Sequence, residues 1–104
     1  MTDAAAVESA VVAWRRGVGR LEEPGAARAA RWRVVEAVTV ELRRRVGPTF
    51  TLGQLVDAYD EATGWFTELA ARVAPGVPDA WDASVALDGA FGLYARGAVG
   101  ELPA

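Results

Sequence analysis

The chain has 104 residues, of which 52% are hydrophobic and 24% charged, and a chain of this size and composition forms one domain with its own core. It contains no cysteine, histidine or lysine, which excludes disulfide bonds, thiolate and imidazole metal sites, and a histidine or lysine general base. The net charge of −3 is unevenly distributed, because residues 1–47 carry nine arginines against six acids and residues 48–104 carry two arginines against eight acids.

The first apolar segment predicts a helix over residues 3–18. Asp3 is placed to cap its N-terminus, and two arginines near its C-terminus complement the helix dipole. Gly17 and Gly19 are expected to end the helix, since glycine is a poor helix former. A connector that contains Pro24 then leads to the second segment.

The second segment, residues 26–46, has an ambiguous period. Val34, Val38 and Leu42 follow helical spacing, but together with Trp32 and Val40 they also alternate as on a strand face. The β-branched residues favour a strand, whereas the length, the alanines and a pair of opposite charges one turn apart favour a helix. We predict a helix, which a Gly-Pro dipeptide ends.

The third helix has the strongest local signal in the chain. Thr51 is followed three residues later by Gln54, which is the spacing of a capping box, and Phe50 and Leu55 are placed to form a hydrophobic staple. We predict a helix over residues 52–73, with its acids on the face opposite an apolar stripe. That stripe consists of Leu52, Leu55, Val56, Tyr59, Thr63, Phe66, Ala70 and Val73.

A proline-rich turn separates the third helix from a fourth, which is predicted over residues 79–96 with Asp79 as its N-cap. Apolar residues surround this helix on most sides, and this pattern predicts burial on most sides. Gly89 and Gly92 would let another backbone approach closely. We expect an all-α, up-and-down four-helix bundle that forms one domain over residues 1–104, with a frayed tail from about residue 97.

Asp88 is the acid that lies within the most apolar part of the fourth helix. A buried aspartate has a raised pKa unless it is paired, so we expect a buried ion pair between Asp88 and an arginine of the second helix. The carboxylates of the third helix lie away from its apolar stripe and are interpreted as a solvated face. We therefore predict no catalytic residue, no cofactor and no metal.

The arginines also fit a DNA-associated transcription regulator. A basic ridge on the second helix would consist of Arg43, Arg44 and Arg45 with Arg28, Arg31 and Arg33 upstream. Alternatively, residues 51–73 would divide at Thr63-Gly64 into a helix-turn-helix. The net charge of −3 and the single arginine of the reading helix oppose both forms. We keep DNA binding as the alternative.

Recognition of another protein is the function that we predict. Four tryptophans are many for 104 residues. Trp65 lies beside acids at the edge of the apolar stripe, which fits an interface anchor and equally a partly buried core residue that lies flat on a neighbouring helix. A thin, alanine-rich core favours a homodimer. We predict a non-enzymatic interaction or adaptor module whose candidate partner-binding residues are Arg33, Arg43, Arg44, Arg45, Glu61, Trp65 and Glu68.

The segment from Glu41 to Leu55, with Tyr59, Trp65 and the ending Ala90–Gly97, resembles small all-helical proteins of high-GC Gram-positive bacteria (actinobacteria). The resemblance implies a helical fold and carries no activity or site residue that can be transferred. The N-terminus lacks the pattern of a signal peptide, and no apolar run approaches the ~20 residues of a membrane span. We expect a cytoplasmic protein that makes no membrane contact.

Overall fold

The structure, a computed structural model, describes residues 4–22, 28–74 and 80–99. These ranges contain four α-helices and no strand: α1 is Ala4–Arg20, α2 is Arg28–Arg45, α3 is Leu52–Val73 and α4 is Ala80–Val99. The all-α, four-helix prediction is confirmed, and the strand alternative for the second segment is wrong. None of the helices in these ranges is both long and apolar enough to cross a bilayer.

The ends of α1 and α4 differ from the prediction. α1 continues through Gly17 and Gly19 to Arg20, so neither glycine ends it. α4 extends past the predicted end at residue 96 to Val99, while the rest of the predicted tail lies outside the described residues. The predicted caps Asp3 and Asp79 also lie outside them.

α4 is the central helix of the bundle. It packs most extensively against α1 and then against α2, whereas the backbones of α1 and α2 do not approach each other. Trp14 lies against Phe91 and Gly17 against Asp88, so α1 and α4 run in opposite directions. The hydroxyl of Tyr94 donates to the carbonyl of Gly47 (2.5 Å) and thereby joins α4 to the end of α2.

Three glycines allow α1 and α4 to come close together. A Cβ atom on Gly17 would lie 2.6 Å from the backbone nitrogen of Gly89, and one on Gly92 would lie 2.7 Å from the carbonyl oxygen of Trp14. A Cβ on Gly89 would meet the side chain of Leu21 at 2.7 Å. The predicted close approach at Gly89 and Gly92 is confirmed, and α1 is the helix that approaches.

Aromatic rings fill the core where α1, α3 and α4 meet. Trp14 is fully buried and stacks on Phe91 with the ring centroids 5.6 Å apart. Tyr59 of α3 meets both rings edge-on, at 5.7 Å from Trp14 and 5.1 Å from Phe91. Aromatic pairs in these geometries add about 0.5–1.5 kcal/mol each to the effect of area burial.

α3 begins at the capping box that the sequence predicts. The amide of Gln54 donates to Thr51 Oγ1 (3.1 Å), and the amide of Thr51 donates to Gln54 Oε1 (2.8 Å). Phe50 stacks on Tyr94 with the ring centroids 5.3 Å apart, and its staple contact with Leu55 stays a prediction. These contacts fix the start of α3 against α4.

The apolar stripe of α3 is correct except at Thr63. Thr63 is exposed and its hydroxyl donates to the carbonyl of Asp60 (2.7 Å). The buried face also includes alanines that the predicted stripe omits, because small residues allow neighbouring helices to approach. The buried residues of α3 are Leu55, Val56, Ala58, Ala62, Phe66, Leu69 and Ala70.

Arg31 is a buried charged residue, with 3% of its surface exposed. Its Nη1 atom donates to the carbonyl oxygens of Arg20 and Leu21, each at 3.2 Å. These carbonyls lie at the C-terminal end of α1, where a cation is favoured by the helix dipole and satisfies acceptors that have no partner within the helix. Arg31 therefore connects α2 to the end of α1.

We expect Gly17→Ala to lower the free energy of unfolding by about 1–3 kcal/mol, because the added methyl would overlap the backbone of α4. Gly64→Ala is the matched control, since a Cβ at Gly64 meets no atom within 4 Å. The control should raise stability by up to about 1 kcal/mol through helix propensity. Urea unfolding measures both, and equal stability of the two variants would contradict the close packing.

We expect Arg31→Met to lower the free energy of unfolding by about 2–3 kcal/mol, because one buried and one part-buried carbonyl lose their donor. Arg33→Met, at an exposed position of the same helix, should change it by no more than about 0.5 kcal/mol. Thermal and urea unfolding of both variants check this. A loss at Arg33 as large as that at Arg31 would refute the role of the two hydrogen bonds.

Candidate functional site

The structure brings together four of the seven predicted partner-binding residues. Arg44 and Arg45 at the end of α2 lie beside Trp65 and Glu68 of α3 around a shallow depression. We call this surface the Trp65 face; it consists of Glu41, Arg44, Arg45, Trp65, Glu68, Leu69 and Arg72. The Trp65 face exists because α2 packs against α3.

Arg45 links the charged and aromatic parts of the Trp65 face. Its Nε atom donates to Glu41 Oε1 (2.7 Å), and its guanidinium carbon lies 5.1 Å from the centroid of the Trp65 ring. Arg44 also donates to Glu41. Because of the hydrogen bonds from Arg44 and Arg45, the pKa of the Glu41 carboxyl is lowered. Glu41 and Arg45 are the opposite charges one turn apart that favoured a helix for the second segment, and they form an ion pair.

Trp65 is half-buried at this surface. Its Nε1 atom is buried and has no hydrogen-bond partner among the residues that the structure describes. Glu61 precedes Trp65 by one helical turn and lines a neighbouring depression with Arg45, so it borders the Trp65 face. The cation–π contact with Arg45 contributes about 0.5–1 kcal/mol, which favours the observed orientation of the half-buried ring.

Arg33 and Arg43 do not join the Trp65 face. Arg33 is exposed elsewhere on α2. Arg43 lines a groove of about 740 Å³ between α2 and α4. Residues two positions apart on a helix point about 200° apart, so Arg43 and Arg45 lie on different faces. We call this concavity the α2–α4 groove; its apolar lining includes Trp32, Val35, Val40, Leu93 and Tyr94.

The partner of Asp88 is Tyr59, not an arginine of α2 as predicted. The hydroxyl of Tyr59 donates to Asp88 Oδ1 at 2.5 Å. The ion-pair prediction is wrong because α4 places Asp88 between α1 and α3, where the half-buried Tyr59 is within reach. Tyr59 appeared in the sequence only as part of the apolar stripe, and nothing in the spacing identified it as a donor.

Burial raises the pKa of the Asp88 carboxyl, and the hydrogen bond from Tyr59 only partly offsets this. The pKa of the Tyr59 hydroxyl is raised as well, first by burial and then by its bond to Asp88. Arg16 and Arg20 of α1 line the same small depression as Asp88. The pair is therefore a half-buried polar contact between α3 and α4.

Metal-ligating side chains do not converge anywhere in the described ranges. No group of three or more aspartates and glutamates there is placed to hold a metal ion. Asp57, Asp60, Glu61 and Glu68 are exposed on α3, as the predicted solvated face requires. The geometry of the described residues thus offers contact surfaces: the Trp65 face and the α2–α4 groove.

We expect Asp88→Asn to remove a pH dependence of stability. Burial raises the pKa of folded Asp88 above its ordinary value of 3.8, so folding favours the protonated form. The stabilising contribution is present below the unfolded pKa and is lost as pH rises through the folded pKa. Asparagine keeps an acceptor for Tyr59 and carries no charge.

The variant should therefore gain stability over the wild type at about pH 7, and this gain should shrink as pH falls towards about 4. Urea unfolding at a series of pH values gives the difference between the two proteins. Tyr59→Phe is the control that removes the donor and keeps the carboxyl. A difference between wild type and Asp88→Asn that stays constant with pH would contradict the assignment.

Comparison with known proteins gives no guide to this site. The chain matches no protein-family model, no curated protein and no solved structure. The resemblance to helical proteins of high-GC Gram-positive bacteria therefore stays a prediction. No site residue is transferred from a relative, and any function proposed for the chain depends on its own geometry.

Proposed function

We propose that the protein is a small cytoplasmic, non-enzymatic interaction module that acts as a homodimer and binds another protein through the Trp65 face. The observation that supports this most directly is the Arg45 guanidinium held over the Trp65 ring where α2 meets α3. Tryptophan and arginine are the residue types most enriched at the energetic centres of protein interfaces. An indole already held in place loses little conformational entropy when a partner binds.

The charges around Trp65 indicate the chemistry of the partner. Glu41 already pairs with Arg44 and Arg45, whereas Glu68 and Arg72 form no ion pair with any residue that the structure describes. An acid and a base one helical turn apart, beside an aromatic ring, suit a partner surface that carries both signs of charge around an apolar patch.

The DNA-binding alternative receives less support from the geometry. α3 runs without a break from Leu52 to Val73, so the predicted helix-turn-helix within residues 51–73 is wrong. Of the α2 arginines, Arg31 is buried and Arg44 and Arg45 are paired with Glu41. Less unpaired positive charge than the sequence suggests is therefore presented to phosphates.

The proposal is tested by capture from the extract of the native cell. We expect wild-type protein to retain a partner that Trp65→Ala loses, because truncation of a central anchor weakens binding by about 2 kcal/mol or roughly 30-fold. Glu68→Arg, at an exposed position, is a second variant that leaves the core intact and should also weaken capture.

Val12→Ser is the matched control, because Val12 is an exposed apolar residue of α1 (46% exposed) and lies outside the Trp65 face. It should retain the partner as well as the wild type does. Circular dichroism confirms that each variant is folded. Equal retention of the same protein by the wild type and both Trp65-face variants would refute the proposal.

A further inference from the structure

The α2–α4 groove is an open, mainly apolar concavity on the surface of the described residues. It has a volume of about 740 Å³ and lies between α2 and the Leu93 side of α4. Val40 lines it with 63% of its surface exposed, the largest exposure among the large hydrophobic residues of the described chain. An apolar groove beside an exposed valine is typical of an interaction surface.

Two opposite charges lie on the α2 side of the groove. Glu36 and Arg43 both line it and both are exposed. Neither forms an ion pair with any other residue in the ranges that the structure describes. They are seven residues apart, which is about two helical turns, and the midpoint between them falls between Thr39 and Val40.

We propose that the groove is the homodimer interface, in which α2 of a second copy lies antiparallel on α2 with the two-fold axis between Thr39 and Val40. This inference rests on the homodimer of the proposed function and names its surface. In that arrangement Glu36 lies at the same height as the partner's Arg43, and Arg43 at the height of the partner's Glu36. A single pair of opposite charges thus becomes two intermolecular pairs, as a two-fold contact requires.

The centre of this contact can be buried without leaving a polar group unsatisfied. The hydroxyl of Thr39 donates to the carbonyl of Val35 (2.9 Å), so its methyl group is available for packing. Val40 of each copy then packs beside Thr39 of the other. Trp32 lies towards one end of the α2–α4 groove and would cover the second copy near its Pro48 position, since Pro48 also lines the groove.

A second copy fits these features better than other occupants. An apolar small molecule would use the lining but leave Glu36 and Arg43 without a role. A helix from a different protein would need an acid and a base at matching positions, whereas α2 itself supplies both at the required spacing. Charge complementarity of the surface with its own copy therefore favours the dimer.

The mass in solution tests the dimer. Light scattering of the full chain, whose mass is 11.0 kDa, should give twice that value for the wild type. Val40→Glu should give the mass of a monomer, because a charge would be buried at the centre of the interface. Glu36→Arg and Arg43→Glu should each raise the dissociation constant by roughly tenfold or more, because each places two pairs of like charges across the axis.

The decisive experiment mixes the two charge-reversal variants. An equimolar mixture of Glu36→Arg and Arg43→Glu should form a heterodimer of near wild-type affinity, since both intermolecular pairs are then of opposite charge. Glu8→Arg is the control, because Glu8 is exposed on α1 and does not line the groove. It should dimerise as the wild type does.

Three results would overturn the proposal, and each differs from a failure of the Trp65 face. If all three groove variants still dimerise as the wild type does, the homodimer stands and this interface is refuted. A monomeric wild type at high concentration would refute the homodimer and the interface together. Groove variants that lose a captured protein while the wild type is monomeric would assign the groove to another protein. Capture that depends on Trp65 is measured separately.

Discussion

The close approach of α1 and α4 is the constraint on which the rest of the structure depends. Where Gly17 and Gly92 remove the side chain, the two backbones come within reach of each other, and Trp14 can then stack on Phe91. Because α1 occupies one side of α4, α2 must pack on another side, and the backbones of α1 and α2 do not meet. The central position of α4 thus follows from small residues more than from large ones.

The polar contacts of the interior complete this arrangement. Arg31 reaches from α2 to the last carbonyls of α1, and Tyr59 reaches from α3 to Asp88 of α4. A buried polar group without a partner destabilises a protein by about 1–3 kcal/mol, so each contact disfavours alternative positions of its helices. Arg31 connects α1 and α2, whose backbones do not pack against each other, and the Tyr59–Asp88 bond connects α3 and α4.

The sequence predicts those features that depend on neighbouring residues. The capping box at Thr51 was predictable because its partners are three residues apart, and the helical stripe of α3 because burial follows a period. Gly17 was mistaken for a helix end, since a glycine that ends a helix and one that packs against another helix have the same local signature. Arg31 and the Tyr59–Asp88 bond depend on residues 10 to 29 positions apart, and no spacing rule identifies such pairs. The Trp65 face could be predicted only in part. The contact between Arg45 and Trp65 depends on how α2 packs on α3, and the spacing of residues within either helix does not specify that packing.

The ambiguous period of the second segment has a physical cause in the two faces of α2. Val34, Val38 and Leu42 are buried in the core, whereas Trp32 and Val40 line the α2–α4 groove. Superimposed, the two helical faces produce the even-numbered alternation that is also typical of a strand. A helix that packs on one side only would not need apolar residues at the positions of Trp32 and Val40. The same apolar residues that obscured the secondary structure are therefore an argument that α2 has a second surface to cover. Glu36 and Arg43 on that surface form no ion pair with any described residue, and their spacing makes a second copy of α2 a matching partner.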